Sequence, residues 1–146
     1  MDNAKHSIGS QIKRNAVALI SLTVAITSLS YNTWRNEQTE TNRNQRVAAF
    51  EIIMKLGDLQ NVLFHHHYDK DSEGEGNPRT GWTYVLTIRD LTRVLPTPMP
   101  DAAGNLMQTW QDNWETLQES EVSADKIMAK IEMMRDETVQ LLESLD

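Results

Sequence analysis

The chain has 146 residues, no cysteine and a formal net charge of −7. Without cysteine there are no disulfides, no thiol catalysis and no cysteine-ligated zinc or iron–sulfur centre. Eleven of the fourteen basic residues and twenty of the twenty-one acidic ones follow Trp34, leaving that part at about −9; it repels phosphate backbones and anionic headgroups, which argues against nucleic acid and against acidic lipid as partners of the domain body.

Residues 1–15 read as a short N-terminal tail. A charge-free run over 15–34 follows, with Lys13 and Arg14 before it and Arg35 after it. Roughly 20 residues at about 1.5 Å each cross about 30 Å of hydrocarbon, so 16–34 is predicted to be a transmembrane helix. It is modestly apolar, because Ser21, Thr23, Thr27, Ser28 and Ser30 fall within it. Tyr31 and Trp34 stand at the far end, where amphipathic rings favour the interface. Two other readings compete: a signal peptide cleaved near Ser28-Leu29-Ser30, and a buried core helix. The close flanking charges and the helical pattern running past Ser30 favour a retained anchor. Lys5, Lys13 and Arg14 nearly balance Arg35, Arg43 and Arg46 across the span; the tighter N-terminal cluster favours a cytoplasmic tail and a domain on the far side. Ala18, Ser21, Ala25 and Ser28 recur at steps of three and four, a stripe of small side chains of the kind along which two helices pack closely in lipid. The plain alternative is a generic span of low hydrophobicity.

Residues 35–46 read as a polar helical stalk, with no helix breaker between Gly9 and Gly57. One long helix leaving the membrane and entering the domain is the simplest expectation. Continuation of the small-residue stripe as Asn32, Arg35, Thr39, Asn42 and Arg46 gives poor coiled-coil positions. The juxtamembrane YNTWRNE followed by TNRNQR resembles a pattern found in uncharacterised bacterial single-pass membrane proteins, over about residues 20 to 70. The resemblance implies a small anchored protein; with the orientation favoured by the flanking charges, the expected location is a bacterial inner membrane with the domain in the periplasm. The resemblance assigns no activity.

Residues 47–146 are predicted to form the domain, an antiparallel four-helix bundle, all-α. Ile52, Leu56, Leu59 and Leu63 mark the core face of the first helix, with Phe50, Ile53 and Phe64 widening it. The glycines, proline and charges of DKDSEGEGNPRTG mark a loop. A second helix is expected over 81–95 on Tyr84, Ile88, Leu91 and Leu95, stopped by Pro96, Pro98 and Pro100. Asp101 is the expected N-cap of a third helix running to Gln118, with Leu106, Trp110, Trp114 and Leu117 on one face. Ser123 is the expected cap of a fourth, lacking a capping box because Lys126 stands where an acid is wanted. Its stripe is Ile127, Ile131, Met134, Leu141 and Leu145, interrupted at Thr138.

Three clusters invite a chemical reading. His65, His66 and His67, with Asp69 and Asp71 after them, are residue types that bind zinc, copper or nickel. Consecutive helical residues diverge by about 100°, however, and a helix end that welcomes imidazolium is the plainer reading. The run from Asp69 to Gly74 matches the start of an EF-hand loop, but Thr80 stands where a bidentate Glu is required. Arg89 and Arg93, four apart, could hold a small anion beside Trp110 and Trp114; ion pairing and core filling are the alternatives. No catalytic constellation is present and no cofactor is implied. The expected function is therefore a non-enzymatic, membrane-anchored interaction or accessory subunit, with a protein partner or a second copy. The alternative is an extracytoplasmic ligand- or metal-binding sensory domain that signals through a partner.

Overall fold

In the computed structural model, residues 15–145 are described; the tail with Lys5, Lys13 and Arg14 lies outside them. Four helices carry the fold: α1 Ala16–His67, α2 Pro78–Leu91, α3 Met99–Asn113 and α4 Glu121–Ser144. A 3-10 turn, Thr92–Val94, follows α2. The protein is all-α, its helices are packed together, and no strand occurs among the described residues. The chain divides into two compact units, one through Thr41 and one from Asn42 onward.

Within the first unit, α1 is long and apolar enough to cross a membrane, and none of its apolar window is buried. The hydroxyls that reduce its apolarity are partly neutralised locally. Ser21 donates to the Val17 carbonyl at 2.8 Å, Thr23 to Leu19 at 2.9 Å and Thr27 to Thr23 at 2.8 Å. Such back-bonding satisfies a polar group inside the helix, which is what hydrocarbon demands. The rings of Tyr31 and Trp34 lie 6.1 Å apart on adjacent turns.

The second unit holds the core. Ile52, Leu56, Leu59 and Leu63 of α1 meet Val85 and Ile88 of α2, Leu106 and Trp110 of α3, and Ile127, Ile131 and Met134 of α4. Burying each such side chain contributes about 1.5–3 kcal/mol. Phe50 and Phe64 do not join them: they are 58 % and 39 % exposed. Thr138 does not interrupt the α4 stripe, because its hydroxyl donates to the Met134 carbonyl at 2.6 Å and lets the residue be fully buried.

Several helix ends differ from expectation for identifiable reasons. α2 starts at Pro78, three residues before Gly81. Asn77 caps it by accepting the Arg79 N–H at 3.0 Å, and Pro78 needs no partner for a donor it lacks. After Leu91 the chain tightens into the 3-10 turn, so Leu95 is buried beyond the helix. The N-cap of α3 is Pro98, and Asp101 lies inside the first turn, a favourable place for an acid. Pro100 supplies no N–H there, which removes one group a side-chain cap would have served. α3 ends at Asn113, and irregular turns carry the chain past Trp114 and Leu117. Ser120, not Ser123, caps α4, its hydroxyl accepting the Ser123 N–H at 3.2 Å. Ser123 is buried instead, its hydroxyl 2.8 Å from that of Thr116.

Candidate functional site

The end of α1 gathers most of the residues singled out for chemistry. The helix ends at His67. Lys70 adopts the left-handed conformation, φ 56°, and the Asp71 N–H reaches back to the His65 carbonyl at 3.1 Å. That geometry points the three histidines in three directions. His65 is half-buried, with Nδ1 2.8 Å from Asp69 Oδ2 and Nε2 2.9 Å from Glu75 Oε2. His66 is buried and donates from Nδ1 to the Gly76 carbonyl at 2.8 Å. His67 donates from Nδ1 to the Leu117 carbonyl at 2.6 Å, in the turn before α4. A carbonyl only accepts, so both of these nitrogens carry a proton.

Asp71 belongs to the loop rather than to the histidines. One carboxylate oxygen accepts the N–H groups of Gly74 at 2.7 Å and Glu73 at 3.1 Å, and the other that of Gly76 at 3.4 Å. These amide bonds, that from Gly74 foremost, hold its carboxyl below the usual Asp range. The loop is thus folded around one side chain. Lys70 adds a tie to the Gln118 carbonyl, and the Gln118 amide returns a bond to the Lys70 carbonyl at 3.1 Å. Among the described residues, no group of three or more His, Asp or Glu is placed to hold a metal ion. The five candidate ligands are distributed between an acidic clamp on His65, two carbonyl ties and a loop-closing carboxylate.

A pH dependence follows from Asp71. Its folded pKa is depressed, so its stabilisation is complete above the ordinary Asp range and is lost as pH falls through that range toward the lower folded value. Thermal unfolding between about pH 5 and pH 3 should therefore show a steeper acid loss in the native chain than in Asp71→Asn. Parallel curves would remove Asp71 from that role.

The arginine–tryptophan group does not converge. Arg89 and Arg93 both reach Asp90, at 3.3 and 3.6 Å, and Arg89 also approaches the Met107 sulfur at 3.5 Å. Trp110 is fully enclosed in the core, and its indole N–H finds no partner. Trp114 is half-buried on the rim of a surface depression of about 410 Å³, with Ser72, Glu73, Asn77, Pro78 and Arg79. The stripe Ala18, Ser21, Ala25 and Ser28 is exposed along α1, and Ser21 has its internal bond already.

Sequence reasoning missed one surface. Along the second unit's part of α1, and at Tyr68 just past its end, Val47, Phe50, Met54, Phe64 and Tyr68 form an exposed apolar row, while the interleaved Ile52, Leu56, Leu59 and Leu63 are buried. The signal was available: Val47, Phe50 and Met54 step by three and four and Phe64 and Tyr68 by four, and only the assumption of a single apolar face hid it. No family model, no curated protein and no solved structure matches the chain.

Proposed function

We propose that the protein is a non-enzymatic, single-pass membrane protein whose antiparallel four-helix domain serves as an interaction or accessory subunit of a membrane assembly. The observation that carries this reading is α1 itself. Its N-terminal part offers an unburied apolar length suited to lipid, and its later part offers both a core face and an exposed apolar row. An apolar surface on the domain beyond the anchor is what a protein-binding subunit needs. The ligand-sensing alternative has less beneath it, because Arg89 and Arg93 close on Asp90 and His66 and His67 are engaged by backbone carbonyls. In the orientation proposed here, for a bacterial inner membrane, the tail is cytoplasmic and the domain periplasmic.

Alkaline carbonate extraction of membranes containing the full chain tests the anchor. The intact polypeptide should stay with the pellet, and deletion of 16–34 should release it. Release of the intact chain, or a mature chain beginning near residue 31, would overturn the reading.

A further inference from the structure

The exposed row on α1 has an internal order. Val47, Phe50, Met54, Phe64 and Tyr68, completed by Gly57 and Asn61, follow one another at steps of 3, 4, 3, 4, 3 and 4. That is a heptad seam of three repeats, with Val47, Met54 and Asn61 at a positions, Phe50, Gly57 and Phe64 at d, and Tyr68 continuing the register in the turn one residue past the helix. No charged residue falls on it. Upstream the same register meets Arg43 and Glu40, and downstream α1 ends at His67, so the seam is confined to this stretch.

Its exposed area is considerable. Val47, Met54 and Tyr68 are 63–65 % exposed and Phe50 58 %. With large side chains offering about 150–250 Å² each, on the order of 500 Å² is left uncovered. Summed along the row, which Gly57 and Asn61 divide, that is a large part of the roughly 800 Å² per partner that a stable complex buries.

We infer that a second copy of the same chain covers this seam, parallel and in register. Three features select that occupant. Asn61 is exposed at an a position, where in a parallel pair it faces its own counterpart and the two amides bond to each other; against a purely apolar partner it would be buried unpaired. Gly57 has open space around it, with nothing within 4 Å of where a Cβ would stand, so a facing helix meets no obstruction at the seam's centre. The flanking carboxylates Glu51 and Asp58 are bridged by Lys55, at 3.8 and 2.9 Å, so identical copies do not oppose bare like charges. The parallel sense rests on the proposed anchor, because one spanning segment inserts every copy in the same direction.

The absence of cysteine makes the test clean. Single substitutions Val47→Cys, Met54→Cys, Asn61→Cys and Tyr68→Cys are made in the full chain in native membranes, with Val122→Cys and Val139→Cys as exposed controls off the seam. Mild oxidation should give disulfide-linked dimers at all four seam positions and at neither control. In an antiparallel pair, Val47 and its counterpart would be about 30 Å apart, so cross-linking at both ends of the seam identifies the parallel arrangement. Phe50→Glu introduced alongside Met54→Cys should reduce the dimer at least about tenfold, with helix content unchanged by circular dichroism. Equal cross-linking at the controls, dimers at central positions only, or covalent capture of a different polypeptide at the seam would overturn the inference. Carbonate extraction of the same membranes separates this result from the anchor. A chain that is extracted yet cross-links at all four seam positions keeps the seam and loses the anchor; a chain that resists extraction without cross-linking does the reverse.

Discussion

Gly76→Ala should destabilise the domain by at least about 3 kcal/mol, lowering its thermal midpoint by roughly 10 °C or more. The reason is space, not dihedral angle, since no glycine among the described residues has a positive φ. A Cβ at Gly76 would stand 2.1 Å from the Asp71 carbonyl oxygen, 2.5 Å from the His66 nitrogen and 2.8 Å from the His65 carbonyl carbon. All three are backbone atoms at the end of α1, and no side-chain rotation relieves them. The loop must withdraw, and with it goes the carbonyl that accepts from buried His66, leaving an imidazole N–H without a partner. Gly74→Ala is the control. There the nearest atom is the Asp71 carboxylate oxygen at 2.5 Å, the end of a side chain, so the loss should be clearly smaller. Urea denaturation of both variants checks the order. Equal and small losses would show that the loop is not seated on the helix end.

The histidine run shows what a sequence conveys and what it withholds. That 65–67 close a helix before a loop was legible, because Tyr68 onward turns polar and rich in glycine. The angular spread of three consecutive residues was legible too. Their partners were not. The Gly76 carbonyl is ten residues from His66 and the Leu117 carbonyl fifty from His67, and backbone acceptors carry no residue signature at all. Asp71 was noticed as a potential cation ligand, yet a carboxylate that folds its own loop by accepting amides looks the same in sequence as one that binds an ion. The distinction lies in backbone geometry, set here by the left-handed Lys70.

Helix existence and the buried row of α1 were legible from period alone. The failure at Phe50 and Phe64 has a definite cause. Two apolar rows on one helix merge into a single broad face when apolar residues are counted without phase, and large aromatics are assigned to the core by default. Phase separates them: Ile52, Leu56, Leu59 and Leu63 are buried, and Val47, Phe50 and Met54 stand on the other side. The caps failed for a different reason. Ser120 and Ser123 are chemically equivalent candidates three residues apart, and the choice falls to Thr116, which reaches Ser123 through the fold and takes its hydroxyl out of contention.

Gly81→Ala should cost about 2–4 kcal/mol, and Trp110→Phe should restore much of that loss. Gly81 was expected at the start of its helix, where a small residue is unremarkable. It lies one turn inside α2, buried, with α3 pressed against it. A Cβ would meet Trp110 Cζ2 at 2.2 Å and Cη2 at 2.4 Å. The indole is fully enclosed and has nowhere to swing, so an added methyl must push the two helices apart. A helix interior normally disfavours glycine by about 1 kcal/mol, which makes the position costly unless close packing compensates. Phenylalanine lacks the two far ring atoms that the methyl would strike, and it also removes an indole N–H that is buried without a partner. The two substitutions should therefore be less than additive by at least about 1 kcal/mol in a double-mutant cycle measured by urea unfolding. Additive losses would mean that α2 and α3 relax independently of this contact, and that the glycine is not there for the tryptophan.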